Sequence, residues 1–193
     1  MIMDPKAVSL LALIAAFLGG CALTKETVDI AYQPNPNAKP VPGASQTAVR
    51  VTVEDQRSIK EYVSRKKNGY GMEMAPITTR ESVPTIISRA IEAELKQRGF
   101  RTGSGGRVAA VQLTRFYSNY EIGFWSSTAS AEVNMAVTVR GTGYTRYVNG
   151  RERNSGEVIM AGKGAREGLE LALKDAIRQL FDDPAFVRAL LRG

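Results

Sequence analysis

Apolar residues recur along this chain with two different periods, and each change of period marks a new element. Val49, Val51 and Val53 alternate with Arg50, Thr52 and Glu54, which predicts a half-buried strand ending at Asp55-Gln56-Arg57. Residues 58–80 show no clear period, apart from a turn at Lys66-Lys67-Asn68-Gly69. A helix follows. Ser82 is placed to cap it, and Pro84 falls in its first turn, where a missing N–H costs nothing. Val83, Ile86, Ile87, Ala90, Ile91 and Leu95 form its apolar stripe. Glu92 with Lys96 and Glu94 with Arg98 are spaced as i,i+4 pairs on its wet side, and Gly99 ends it before Phe100.

Beyond the Gly103-Ser104-Gly105-Gly106 turn, a second strand is expected over Val108–Tyr117. The third has the cleanest alternation. Ala129, Ala131, Val133, Met135, Val137 and Val139 face one way; Ser130, Glu132, Asn134, Thr138 and Arg140 face the other, with Ala136 the one apolar exception. Gly141-Thr142-Gly143 turns the chain into a fourth strand, within which Asn149-Gly150 is a hairpin signal. A long helix from about Ala165 to Phe181 and a short one opened by Asp183-Pro184 complete the chain. This order predicts an α+β fold: a two-layer sandwich with a mostly antiparallel sheet of about four strands and two main helices on one face.

The amino-terminal stretch fits neither period. Ala7 to Leu18 is a twelve-residue run without charge. It is shorter than the roughly 20 residues a spanning helix needs and has the length of a signal-peptide core. It ends Leu18-Gly19-Gly20-Cys21, a branched apolar residue, two small residues and a cysteine, which is the pattern of a lipobox. Small residues fit an extended peptidase cleft, and only a thiol forms the thioether that carries diacylglycerol. Each buried CH₂ contributes about 0.8 kcal/mol, so two or three acyl chains on Cys21 would anchor the protein stably. Residues 1–20 are therefore expected to be a signal peptide, with Cys21 the new, lipidated terminus. Residues 21–46 hold Gln33-Pro34-Asn35-Pro36-Asn37 and Lys39-Pro40-Val41-Pro42-Gly43 and read as an extended tether. Residues 47–193 are the expected folded domain.

Composition narrows the chemistry. The 193 residues include no histidine and one cysteine, so His-based triads, His-ligated metals and intrachain disulfides are excluded. The formal charge of +7 comes without clustered basic runs beyond Arg65-Lys66-Lys67 or any nucleic-acid-binding signature, so no nucleic-acid partner is expected. Gly156 to Gly164 has the wrong spacing for a phosphate loop, and Gly164 stands where a hydroxyl is required. No pair of carboxylates is marked out for catalysis. The expectation is a protein that is not an enzyme and holds no cofactor or metal.

The chain resembles the YajG-like family of bacterial lipoproteins. The resemblance rests on the lipobox at Cys21, on Val53-Glu54-Asp55-Gln56-Arg57, on Leu95-Lys96-Gln97-Arg98-Gly99-Phe100 and on Leu173-Lys174-Asp175-Ala176. It implies an envelope lipoprotein. Ala22, where lipoproteins kept at the inner membrane usually carry Asp, implies the periplasmic face of the outer membrane. Two functions are open: a binding or assembly module that docks another envelope protein, or an auxiliary lipoprotein of a lipid or solute transport system. The element order is similar to that of such auxiliaries, which is an analogy of fold alone. Candidate partner-binding residues are Tyr120, Phe124 and Trp125, on an expected hairpin from Ser118 to Ser127, and the pair Asp55 and Arg57. For that pair the alternative is a local ion pair that fixes the strand end, contributing about 0–1 kcal/mol if exposed.

Overall fold

The computed structural model describes residues 23–67, 70–122, 127–156 and 161–192. The chain is α+β, and its described residues form two sheets, one of five strands and one of three. Strands β1 (Glu26–Val28), β2 (Ala48–Asp55), β3 (Ser64–Lys67) and β4 (Glu73–Thr79) precede helix α1 (Val83–Gln97). Strands β5 (Arg101–Thr102), β6 (Arg107–Ile122), β7 (Ser127–Val139) and β8 (Tyr144–Gly156) follow, then helices α2 (Ala161–Phe181) and α3 (Pro184–Leu191).

The larger sheet has the order β5-β2-β6-β7-β8. Strands β6, β7 and β8 form an antiparallel meander, with Val133 opposite both Phe116 and Gly150. Strand β2 lies parallel to β6, since α1 carries the chain back across the sheet between them. This sheet exceeds the expected four strands by the two-residue β5, which pairs with the start of β2, and the weakly patterned segment 58–80 supplies β3 and β4, which join β1 in a second sheet ordered β1-β4-β3. The two sheets meet along β6. Strand β2 leaves β6 where Asp55 stands opposite Leu113, and β3 takes its place: Ser118 donates its N–H to the Val63 carbonyl at 2.8 Å.

The three helices of the described residues, α3 through Phe186 and Leu190, contribute to one core. Ile87, Ile91 and Leu95 of α1 and Leu169, Leu173 and Ile177 of α2 are fully buried with Val111, Leu113, Val133, Met135 and Val137 of the sheet. Ser82 accepts the Thr85 N–H, as its capping position predicted. Gly99 takes a positive φ of 88°, the left-handed stop that a side chain would strain.

Three local expectations need correcting. Asn149-Gly150 is not a hairpin but the middle of β8. A Cβ at Gly150 would lie 2.6 Å from the Ala176 nitrogen and against the Ala172 carbonyl oxygen, so glycine is there to let α2 approach the sheet. The Glu94–Arg98 pair forms but is not on a wet face: the Glu94 and Arg98 side chains are only 3% and 12% exposed. The third correction concerns the segment read as a free tether.

From Glu26 onward that segment is laid onto the body. Val28, Ile30 and Ala44 are buried in the core, and Tyr32 and Val41 pack against it. The Val41 N–H bonds the Arg98 carbonyl at the end of α1, and the Ala31 N–H bonds the Glu170 carboxylate of α2. Buried Glu94 is the latch. Its Oε2 accepts the Tyr32 hydroxyl at 2.8 Å and the Asn35 N–H at 3.0 Å, while Oε1 holds the Arg98 guanidinium. Residues 26–46 therefore form a strap across α1 and α2.

Candidate functional site

The junction where β3 replaces β2 beside β6 gathers most of the charged and aromatic chemistry. Strand β2 ends at Asp55, and Arg57, two residues into the turn toward β3, folds its side chain back onto that carboxylate. Their pairing is bidentate. Arg57 Nε donates to Oδ1 at 2.9 Å and Nη2 to Oδ2 at 2.8 Å, while the Arg57 N–H adds a third bond to Oδ1 at 3.2 Å. The Arg57 hydrogen bonds hold the Asp55 carboxyl below the usual carboxylate range. The pair is the local one that fixes the strand end, but it is not exposed, because the Arg57 side chain is only 4% exposed. It closes a ring of backbone and side chain that fixes where the chain leaves the sheet.

The same turn forms one wall of a 340 Å³ cleft, whose other wall is the start of α1 at Ser82, Val83 and Pro84. Most charges around the cleft are already matched: Arg80 with Asp29 at 2.8 Å, and Glu81 with Arg89 at 2.8 Å.

Next along the chain, Tyr62 turns toward β6. Its ring meets that of Tyr117 edge-on, with centroids 6.4 Å apart. The Arg65 guanidinium lies 4.6 Å over Tyr62, and that of Arg115 lies 5.5 Å from the Tyr117 centroid. Arg115 also binds Glu132 on β7 at 2.6 Å. Burial raises the Tyr117 phenol, and the nearby Glu73 carboxylate adds to the shift, so Tyr117 stays a hydrogen-bond donor through neutral pH. Two tyrosines thus carry two arginines on the outer sheet face, an arrangement suited to a protein surface that offers carboxylates or aromatic edges.

Tyr120 lies three residues further along β6, in the direction of the expected hairpin. That hairpin is present as the antiparallel pair β6–β7, with Ile122 opposite Ser127. Phe124 and Trp125, at its turn, lie outside the described residues, as do Cys21 and the lipobox residues Leu18, Gly19 and Gly20. Sequence reasoning marked Arg65 only as part of a basic run and did not mark Tyr62 or Arg115 at all. Tyr62 before buried Val63 and Arg115 before buried Phe116 were the available signal, but only the sheet junction brings them together with Arg65.

Among the described residues, no three acidic or cysteine side chains gather as a metal site requires, and no helix is long and apolar enough to cross a membrane. Asp183 caps α3 by accepting the Ala185 N–H at 2.9 Å, as its place before Pro184 predicted.

A family model described as uncharacterized lipoprotein matches residues 34–190. Among solved structures, a Xanthomonas campestris protein superposes with a TM-score of 0.53 at 12% identity, covering 80% of this chain and 92% of its own. A minor lipoprotein from Acinetobacter baumannii aligns at 7% identity with a TM-score of 0.40, covering 69% and 89%. The first likeness is one of fold. No curated protein matches the sequence.

Proposed function

Because this chain belongs to the uncharacterized-lipoprotein family, the YajG-like lipoproteins, we propose that it is a non-catalytic binding or assembly module of the bacterial envelope, anchored by lipid on Cys21. The observation that carries the reading is Leu18-Gly19-Gly20-Cys21, placed between a twelve-residue apolar run and a folded domain. Ala22, in place of the Asp usual in lipoproteins kept at the inner membrane, supports the periplasmic face of the outer membrane. The partner is another envelope protein, met by the arginine–tyrosine face at Tyr62, Arg65, Arg115 and Tyr117 and by the hairpin that carries Tyr120, Phe124 and Trp125. Asp55 and Arg57 serve this surface indirectly, by fixing the turn that presents Tyr62.

A transport auxiliary would need an apolar chamber between helices and sheet. That space is instead filled by Leu169, Leu173, Ile177, Val133 and Met135, and the groove across the helices is occupied by the chain's own strap. Docking is therefore favoured over carriage of an apolar ligand.

The test is fractionation and labelling. The wild-type protein is expected to sediment with membranes and to take up radioactive palmitate, and Cys21→Ser is expected to do neither. Equal labelling of Cys21→Ser would remove the basis of the assignment. Trp125→Ala, compared with wild type by crosslinking in intact membranes, is expected to lose its main partner. An unchanged set of crosslinks would discard the hairpin as the docking element.

A further inference from the structure

With residues 26–46 bound to the body, the chain between Cys21 and β1 is five residue steps long. Fully extended, that spans at most about 17 Å. A domain anchored this closely has little freedom to turn, so the place where the chain enters decides which surface meets the bilayer. Glu26 stands opposite Ile77 in the parallel β1–β4 pair, and β4 begins at Glu73. The chain ahead of Glu26 therefore points toward the β3–β4 connection. The Glu26 carboxylate meets the Lys66 ammonium at 3.2 Å and lies against Gly162 in the first turn of α2. The end of β6, the start of β7, the end of β8 and the start of α2 all belong to this same end of the domain.

We infer that this end rests on the headgroup layer of the membrane and binds anionic phospholipid headgroups; the inference depends on the acylation of Cys21 proposed above. The exposed chemistry fits that partner. Tyr70 and Met72, on the β3–β4 connection, are 92% and 59% exposed. A tyrosine with its ring in the interface and its hydroxyl in water is at home at this depth. Lys67 donates to the neutral side-chain Oδ1 of Asn119 at 3.0 Å, an acceptor that does not itself offset the ammonium charge. At the start of α2, Lys163 and Arg166 share the single Glu167 carboxylate at 3.9 and 3.6 Å. These cations lie where lipid phosphates would be. The opposite end also carries arginines, Arg101 and Arg140 among them. Charge alone thus does not choose between the ends. The entry of the anchored chain does, and it coincides with the exposed Tyr70 and Met72.

The test uses the full lipidated protein in vesicles of phosphatidylethanolamine with one quarter phosphatidylglycerol. Acylation consumes the Cys21 thiol, so Tyr70→Cys and Ser104→Cys each offer one site for a fluorescent label. Ser104 precedes β6, whose sixteen residues place it about 50 Å from the proposed contact. Nitroxide-headgroup lipid is expected to quench the Tyr70 label at least threefold more than the Ser104 label. Reversing charge with Lys67→Glu, Lys163→Glu and Arg166→Glu together is expected to halve that difference, and so is replacing phosphatidylglycerol by phosphatidylcholine. Equal quenching at the two sites on acylated, vesicle-bound protein overturns the orientation while leaving the anchor intact. Self-quenching between Tyr70 labels without lipid quenching assigns this end to a second copy of the chain and also overturns it. Protein that fails to float with vesicles and shows an unmodified Cys21 by mass spectrometry overturns the anchor and the orientation together.

Discussion

Glu94→Ala is the most informative single perturbation of the fold. Glu94 is 2% exposed and gathers three donors: the Tyr32 hydroxyl, the Asn35 N–H and the Arg98 guanidinium. Truncation orphans all three at once. Breaking a buried ion pair from one side costs about 3–5 kcal/mol, and each stranded neutral donor about 1–3 kcal/mol. Relaxation moderates the sum, because Arg98 keeps 12% side-chain exposure and its stacking 4.6 Å over Phe181, and Asn35 sits in an exposed part of the strap. A loss of about 3 kcal/mol is expected, a large share of the roughly 5–15 kcal/mol that holds a domain of this size. Urea unfolding followed by circular dichroism reads the loss. Limited proteolysis reads its location, with new cleavage expected within residues 30–42. Glu94→Gln keeps the acceptor but not the charge and should lose about half as much. Paired with Tyr32→Phe it should show non-additivity above about 0.5 kcal/mol, as residues in one network do. If Glu94→Ala lies within 0.5 kcal/mol of wild type and gains no cleavage site in the strap, the latch does not hold the segment.

Other consequences follow from the sheet. Gly150→Ala would drive a methyl group into the backbone of α2 at Ala172 and Ala176; a loss of about 3 kcal/mol is expected in the same urea assay, at the upper end for overpacking. Strand β8 is an edge, and Gln179 on α2 covers it by accepting the Asn149 N–H at 3.3 Å and donating to the Asn149 carbonyl at 2.9 Å. Gln179→Ala should cost only about 1 kcal/mol but promote concentration-dependent association, measurable by light scattering. The Asp55 carboxyl is held below its unfolded value by Arg57, so the stability it contributes is fully present above about pH 4 and is lost as pH falls through the folded value. The urea midpoint should therefore drop below about pH 4, and Asp55→Asn should show a shallower drop from a lower start.

The helices and the meander were legible because each buries one face with an unbroken period. Ile86, Ile87, Ala90, Ile91 and Leu95 read as a helix wherever α1 docks, and Val133 to Val139 read as a strand whichever strands flank it. What escaped depends on contacts remote in sequence. Asn149-Gly150 is locally an ideal hairpin turn, yet the need for glycine arises from the backbone of α2 more than twenty residues later. Glu94 and Arg98 have the spacing of a solvent-facing pair; only the strap, arriving from sixty residues upstream, makes the site dry. The candidate surface was half visible for the same reason. Asp55 and Arg57 are neighbours and could be paired on paper, whereas Tyr62 and Tyr117 meet only because β3 succeeds β2 beside β6.

The strap also bears on the anchor. Its prolines exclude helix and limit ladder bonding, but they do not determine whether an extended chain lies in water or in a groove. Val28, Ile30, Val41 and Ala44 decide that, since each finds an apolar partner in the core. A free tether of 25 residues would have let the domain drift tens of ångströms from the bilayer and turn at random. With Cys21 acylated as proposed, a strapped chain would transmit the anchor directly to β1, whose three residue pairs with β4 would be the first bonds to bear any load. Displacement of the body from the membrane is then resisted by the fold itself, with Glu94, Glu170 and the buried apolar side chains of the strap in series behind β1. Loosening the latch at Glu94 should therefore lengthen the effective tether as well as lower stability, and in vesicles it should weaken the lipid quenching of a Tyr70 label even where the domain remains folded.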